Sequence, residues 1–201
     1  MFDPNGRLAK AVLRKDEDHW IAELVEAPRS AGVSPLSTLT ICSAVPKGNR
    51  ADWMVEKLAE LGVGRLVPIV TGRSVVDPGG NKLDRWRRIA SEAAKQSRAA
   101  TTMVVGEVTA LADALARHGQ GAVVLSTEGP GGPLGALSAD VLFVGPEGGW
   151  NDAELGAFRT AGTPFVTLGP SILRVETAAV CGAAVIASRR IGGVESVKIE
   201  R

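Results

Sequence analysis

The chain has 201 residues, of which 45% are hydrophobic and 22% are charged, a balance typical of a soluble globular protein. A formal net charge of +1 argues against a protein that holds nucleic acid by bulk charge alone. No segment is long and apolar enough to span a bilayer, and the N-terminus lacks the apolar core of a signal peptide, so we expect a cytoplasmic protein. Cys42 and Cys181 lack zinc-ligand spacing, so we expect two buried or inert thiols and no metal site.

Residues 1 to about 30 predict a small β unit. Two partly alternating segments, 7–13 and 20–25, flank the charged run 14–18, a pattern typical of a hairpin with a solvated turn. Two strands are only marginally stable by themselves, so this unit must pack on something else. Residues 28–35 contain Pro, Gly and Ser and indicate a linker.

From residue 36 onward, strands and helices alternate. Apolar runs predict strands at 36–45, 66–70, 103–105, 122–126, 140–144 and 165–168. Helical periodicity predicts helices at 50–61, 82–98, 110–118, 151–161 and 175–190. This alternation predicts an α/β fold with a mostly parallel sheet. The last helix carries small apolar residues on nearly all sides, so we expect it to be buried against the sheet or a partner chain.

Residues 145–149, with the sequence GPEGG, follow one predicted strand and precede a helix that opens with the capping-box pattern of Asn151 and Glu154. Ligands of open α/β sheets bind at the carboxyl ends of strands, and glycines let a backbone approach a ligand closely. The turn has neither the G-x-G-x-x-G pattern of dinucleotide sites nor the lysine of a P-loop. By itself it is equally compatible with a tight connector.

A second stretch, residues 168–177, follows the next strand and leads into the last helix. It contains Arg174, Glu176 and Thr177 at the point where coil becomes helix. A lone arginine is usually a solvated surface group, and the other two residues could simply occupy a first helical turn. The match with the glycine turn at another strand end favours a binding site.

Four blocks in this order identify a resemblance: EKLAELGV, RW-x-x-I-x-x-EAAKQS, GPEGG and LG-x-x-ILR-x-ETA. Together they resemble the RsmE family, the 16S rRNA uridine N3-methyltransferases of the SPOUT superfamily, over about residues 39–190. The resemblance implies an α/β methyltransferase domain with a C-terminal trefoil knot at 35–201. It also implies a truncated PUA-like β unit with its linker at 1–34, bound S-adenosylmethionine, a homodimer, and a uridine of small-subunit rRNA as the substrate.

The resemblance also implies residue roles. We expect Arg174 to stabilise the charge that develops on the uracil carbonyls, because a guanidinium stays charged and offers a planar fork of donors. Glu147 and Glu176 are candidates for the general base or for orienting Arg174. The expected cofactor-binding residues are Ser126, Thr127, Gly145, Glu147, Gly148, Leu168, Gly169, Ile172, Leu173 and Thr177. The expected RNA-binding residues are Arg50, Arg73, Gln96 and Arg98.

Two other functions stay open at this level. One is a SPOUT methyltransferase that acts on another RNA, and the other is a non-catalytic RNA-binding or ribosome-assembly factor of the same fold. The intact GPEGG and ILR-x-ETA blocks argue against the second. The family's usual threonine between Arg174 and Glu176 is Val175 here, which leaves substrate recognition less defined than cofactor binding.

Overall fold

A computed structural model describes residues 7–27, 29–30, 32, 34–75, 78–127 and 131–192. The opening residues 1–6 and the linker positions 28, 31 and 33 lie outside the described residues. The strands are β1 (Arg7–Leu8), β2 (Ala11–Asp16), β3 (His19–Leu24), β4 (Arg29–Ser30), β5 (Thr40–Ala44), β6 (Arg65–Val70), β7 (Val104–Val105), β8 (Thr109–Ala110), β9 (Ala122–Leu125), β10 (Gly132–Pro133), β11 (Val141–Val144) and β12 (Phe165–Thr167). The helices are α1 (Arg50–Glu60), α2 (Gly80–Ser97), α3 (Leu111–His118), α4 (Asp152–Thr160) and α5 (Val175–Gly192), with a 3₁₀ turn at Leu134–Ala136.

The N-terminal strands form two small antiparallel pairs, β2 with β3 and β1 with β4. The prediction that the charged run 14–18 is the hairpin turn is wrong for its first three residues, which belong to β2. Arg14 forms an ion pair with Glu23 of β3 at 2.9 Å, so the charged side chains are accommodated on an exposed strand. The turn is shorter and uses Glu17, whose φ is +47°.

The remaining strands form one sheet, in which every pair is parallel and the order within the described residues is β10-β12-β9-β11-β5-β6-β7, with β8 beside β6. The predicted α/β fold with a mostly parallel sheet is therefore confirmed. All four residues of the central strand β11 are buried, as expected for a parallel sheet covered on both faces. Strand β9 lies between β12 and β11, so the carboxyl ends of these three strands meet at one edge.

Helices cover both faces of the sheet. On one face α1, α2 and α5 pack around Ile41, Leu142 and Trp86. On the other face α3 and α4 pack around Phe143 and Phe158, whose rings meet edge to face with centroids 5.3 Å apart. The two apolar clusters place the sheet at the centre of a three-layer unit. No helix in the described part of the chain is long and apolar enough to cross a membrane.

The predicted helices agree with the structure to within two residues at each end. Helix α1 ends where the Gly62 amide donates to the Ala59 carbonyl and the Val63 amide to the Leu58 carbonyl, and Gly62 has φ +78°. This arrangement is a Schellman-type C-terminus, in which glycine takes the left-handed position.

One sequence-based prediction is wrong at the start of the domain, and the predicted burial of the last helix against the sheet or a partner chain is confirmed for one of its faces. The first predicted strand begins at Thr40 rather than residue 36, because 35–38 form a turn. Helix α5 buries one face only; within the single chain Ala184 and Cys181 on the other face are exposed. Cys42 is buried as expected, and burial raises the pKa of its thiol to about 12.

Candidate active site

A cavity of about 280 Å³ lies at the edge of the sheet where β9, β11 and β12 end. Each strand delivers a segment to it: residues 126–127 after β9, the glycine turn 145–150 after β11, and the segment 168–173 after β12. The walls combine apolar side chains such as Leu155 and Val166 with hydroxyl groups and glycine backbone. The strand order thus brings together three pieces, of which the first and the last are more than forty residues apart in sequence.

Most of the cofactor-binding residues expected from the sequence lie around this one cavity. The lining includes Ser126, Thr127, Gly145, Glu147, Gly148, Leu168, Gly169, Ile172 and Leu173. Thr177 is the exception, because it lies in the first turn of α5, partly buried and outside the lining. Arg174 and Glu176 are also outside the lining.

The indole ring of Trp150 packs against the glycine turn. Trp150 is 4% exposed, its indole Nε1 donates to the Leu125 carbonyl oxygen at 2.9 Å, and its ring meets Phe158 edge to face. The ring lies so close to Gly145 that a Cβ there would approach Trp150 to 2.9 Å. Glycine is therefore needed at position 145 for close packing against the indole, and Trp150 connects the end of β9 to the turn that follows β11.

The glycine turn is also tied to the loop that follows β6. Arg73 Nη1 donates to the Gly148 carbonyl oxygen at 2.7 Å and to the Trp150 carbonyl oxygen at 3.2 Å. One Glu154 carboxylate oxygen accepts from the Gly72 amide at 2.7 Å, and the other accepts from the Asn151 amide at 2.8 Å. The Glu154 amide donates to Asn151 Oδ1, so the predicted capping box is confirmed.

The hydrogen bonds that the segment 168–174, on the other side of the cavity, makes with the described residues are all local. Thr167 Oγ1 bonds with the amide and the carbonyl of Gly169, and the Arg174 carbonyl accepts from the Ala178 amide. Ile172 is 84% exposed and Leu173 is 37% exposed. The Arg174 side chain is exposed and has no hydrogen bond or ion pair to the described residues. This segment is therefore open to a binding partner.

Arg50, at the start of α1, lies between the two glutamates of interest. Its Nη2 is 3.7 Å from Glu147 Oε1, and its Nη1 is 3.7 Å from Glu176 Oε1. Arg50 Nε donates to the Lys47 carbonyl oxygen at 3.2 Å, which orients the guanidinium. Glu176 is 6% exposed, and its Oε2 has no hydrogen-bond partner among the described residues. Arg50 thus forms an ion pair with each of two carboxylates, that of Glu147 on the cavity wall and that of the buried Glu176.

The structure separates the four residues expected to bind RNA. Arg50 and Arg73 contact the site as described above. Gln96 and Arg98 lie at the C-terminal end of α2, outside the cavity. Gln96 lines a separate groove between α1 and α2, and Arg98 terminates α2 with φ +56°.

Sequence reasoning missed two features that shape the site. One is the buried Trp150, and the other is the hydrogen bond from the Gly72 amide to Glu154. A tryptophan directly after a double glycine is a usable signal, because a buried indole N–H requires an acceptor nearby. No sequence signal locates the acceptor Leu125, which is 25 residues away. Among the described residues no group of His, Cys, Asp and Glu side chains could hold a metal ion.

The family profile described as an RNA methyltransferase domain matches residues 33–187. The chain belongs to this RNA methyltransferase family. The match covers the whole parallel sheet, the glycine turn and most of α5. It confirms the family suggested by the four sequence blocks.

Relatives within the RNA methyltransferase family carry one name, ribosomal RNA small subunit methyltransferase E. The protein of that name from Synechocystis is 34% identical over 89% of this chain and 61% of its own length. The one from Mycobacterium bovis is 33% identical over 88% of this chain and 72% of its own length. The chain therefore spans about two thirds of the length of these relatives.

A solved structure of the same name, from Neisseria gonorrhoeae and bound to S-adenosylmethionine, is 31% identical to this chain. The two superpose with a TM-score of 0.79 over 95% of this chain and 82% of that one. The structural similarity extends beyond the RNA methyltransferase domain, because the superposed 95% of this chain includes residues that precede position 33, where the family profile begins.

Proposed function

We propose that this chain transfers a methyl group from S-adenosylmethionine to N3 of a uridine in 16S rRNA of the small ribosomal subunit. The observation that carries the proposal is the cavity at the ends of β9, β11 and β12, built from two of the four resemblance blocks, GPEGG and the LG-x-x-IL part of the last one. Support comes from the relatives named for methylation of small-subunit rRNA and from the Neisseria structure that binds S-adenosylmethionine.

The cavity is suited to a nucleoside sulfonium. Its volume of about 280 Å³ is close to the lower bound of roughly 300 Å³ for small-molecule sites, and it is open on the side of Ile172. Apolar side chains suit an adenine ring, while glycine backbone and the hydroxyls of Ser126 and Thr127 suit its polar edges. S-adenosylmethionine, when bound, supplies an electrophilic methyl group.

The protein's own residues then act on the uracil. N3 of uracil carries a proton and is a poor nucleophile until that proton is removed. Glu147 is the better placed base, since its half-buried carboxylate lines the cavity whereas Glu176 is buried outside the lining. Glu176 then acts through Arg50, which it shares with Glu147. The guanidinium of Arg174, which has no partner among the described residues, donates to the uracil carbonyl oxygens as negative charge develops there.

Several features of the whole protein complete the proposal. The methyltransferase domain begins near residue 35 and carries a C-terminal trefoil knot, and the strands before it belong to a PUA-like β unit with its linker. The protein is a cytoplasmic homodimer. The exposed apolar side chains of Ile172 and Leu173 and the exposed small residues of α5 support a contact between copies on this side. Gln96 and Arg98 contact the RNA away from the cavity.

The test is transfer of a tritiated methyl group from S-adenosylmethionine to intact small subunits and to naked 16S rRNA, followed by nucleoside analysis. The proposal predicts label in N3-methyluridine. Label in another nucleoside or another RNA would point to a different substrate. Absence of both transfer and cofactor binding would indicate a non-catalytic factor of the same fold.

A further inference from the structure

Arg73 lies in the loop that follows β6, far along the chain from the glycine turn, yet its guanidinium is bound to that turn. Its Nη1 donates to two carbonyl oxygens, those of Gly148 and Trp150, which are 75 and 77 residues away. The aliphatic part of the side chain packs on Gly148, where an added Cβ would lie 3.4 Å from Arg73 Cβ and Cδ. Both ends of the arginine side chain are therefore engaged by the turn.

These bonds fix two peptide planes of the turn. The carbonyl between Gly148 and Gly149 accepts from Arg73, while the amide of that peptide donates to the Pro146 carbonyl at 2.8 Å. The carbonyl between Trp150 and Asn151 also accepts from Arg73, while its amide donates to Glu154. A peptide plane that is bonded on both edges cannot rotate without breaking a bond, so the turn is held in one conformation.

The loop that presents Arg73 is itself fixed. The Thr71 amide donates to Ser74 Oγ at 2.9 Å, which closes the loop locally. The Gly72 amide donates to Glu154, a carboxylate that is only 9% exposed. The loop that carries Arg73 is thus bonded to the N-terminal turn of α4, and it follows directly after β6.

We infer that Arg73 is a positioning residue for the glycine turn and acts on cofactor affinity, whereas the resemblance assigned it to RNA. Arginine suits this role because the planar guanidinium fixes the directions of the two N–H bonds of Nη1, which donates to both carbonyl oxygens, whereas a lysine ammonium rotates about its Cε–Nζ bond. The inference rests on the proposed function, since it assumes that the turn binds S-adenosylmethionine. The Nε and Nη2 atoms of Arg73 have no hydrogen-bond partner among the described residues, so RNA binding is the competing role of this side chain.

The experiment is calorimetric titration with S-adenosylmethionine of the wild type and three variants. Arg73→Met keeps the aliphatic stem but loses the donors, and we expect cofactor affinity to fall at least about tenfold, the worth of a charged hydrogen bond. Arg73→Lys should recover part of the loss. Arg117→Ala, which removes an exposed arginine at the end of α3, is the charge-matched control and should stay within about twofold of wild type.

Two further readouts separate positioning from a merely structural or an RNA-binding role. In steady-state methyl transfer, Arg73→Met should raise KM for S-adenosylmethionine while kcat at saturating cofactor stays within a few-fold of wild type. In filter binding, its affinity for 16S rRNA should equal that of the wild type.

Wild-type cofactor affinity in Arg73→Met together with weakened rRNA binding would overturn the inference and return Arg73 to the RNA surface. If Arg73→Met did not fold, wild-type cofactor affinity in Arg73→Lys would overturn it equally. Failure of the wild type itself to bind S-adenosylmethionine would contradict the proposed function.

Discussion

The two walls of the cavity are built in opposite ways. The glycine turn 145–150 is bonded to three other parts of the chain, through Trp150 to β9, through Arg73 to the loop after β6, and through Asn151 to Glu154. In the part of the chain that the structure describes, the segment 168–174 has hydrogen bonds only to positions within four residues of the bonding group, and Ile172 is 84% exposed. The glycine turn is therefore bonded to distant parts of the chain, whereas the described hydrogen bonds of the segment 168–174 are local.

This difference separates binding from catalysis. A turn that is rigid before a ligand arrives loses little conformational freedom on binding, which favours affinity. An open segment can complete its contacts only when a substrate or another copy arrives, and it carries the arginine that we assign to the transition state. We therefore expect damage to the turn to act on folding and cofactor affinity, and damage to the open segment to act on turnover.

The largest effect should follow removal of the support under the turn. Trp150→Ala loses a fully packed indole and its bond to Leu125, and we expect the free energy of unfolding in urea to fall by about 3–5 kcal/mol. The control is Trp20→Ala, because Trp20 is 68% exposed and its loss should cost less than about 1 kcal/mol. Equal losses in the two variants would show that the turn does not depend on Trp150.

On the open wall, Arg174→Ala should leave folding intact and remove activity. We expect the single-turnover rate of methyl transfer to fall roughly 100- to 1000-fold, as when a transition-state donor is removed, with the melting temperature unchanged because the side chain has no partner among the described residues. Arg189→Ala, an exposed arginine in the last turn of α5, is the control. A near wild-type rate in Arg174→Ala would remove this residue from the mechanism.

Crowding the turn should have an intermediate effect. In Gly145→Ala the added Cβ meets the Trp150 ring at 2.9 Å, and overpacking of this kind costs about 1–3 kcal/mol in the free energy of unfolding. Cofactor affinity, measured by calorimetry, should fall with it. Gly156→Ala is a matched control in α4, where a Cβ meets nothing within 4 Å, and it should be neutral or stabilise by up to about 1 kcal/mol. Equal changes in unfolding free energy and cofactor affinity in the two variants would show that close packing of Gly145 on Trp150 is not required.

The smallest effect concerns the shared ion pair of Arg50 with Glu147 and Glu176. Both distances are 3.7 Å and Arg50 is 36% exposed, so each pair should contribute only about 0.2–1 kcal/mol. A double-mutant cycle of Arg50→Ala and Glu176→Gln, followed by urea unfolding, measures the coupling directly. A coupling energy of zero would mean that the two side chains do not act together.

Much of the fold could be predicted from the sequence because local patterns determine it. Apolar periodicity located the helices, and the capping box located the start of α4 within one residue. The predicted hairpin turn is too long because a charged run is typical of a loop. Here Arg14 is accommodated in β2 by its ion pair with Glu23 of the neighbouring strand β3.

The site was only partly predictable for a related reason. The glycine turn and the segment after β12 are contiguous motifs, so their pairing at one edge followed from the expected sheet. The contacts of Arg73 and Arg50 join residues 75 or more positions apart, and no local pattern specifies such a pair. The family resemblance instead assigned both arginines to RNA binding, because it carries no information on which carbonyl and carboxylate groups they contact in the fold.

The most direct test of the division between the walls is single-turnover methyl transfer to small subunits, measured across a range of S-adenosylmethionine concentrations for the wild type, Arg73→Met and Arg174→Lys. We expect Arg73→Met to raise the half-saturating concentration of S-adenosylmethionine while reaching nearly the wild-type plateau. We expect Arg174→Lys to keep the half-saturating concentration while lowering the plateau. The opposite pattern, or the same change in both variants, would contradict the division between the walls.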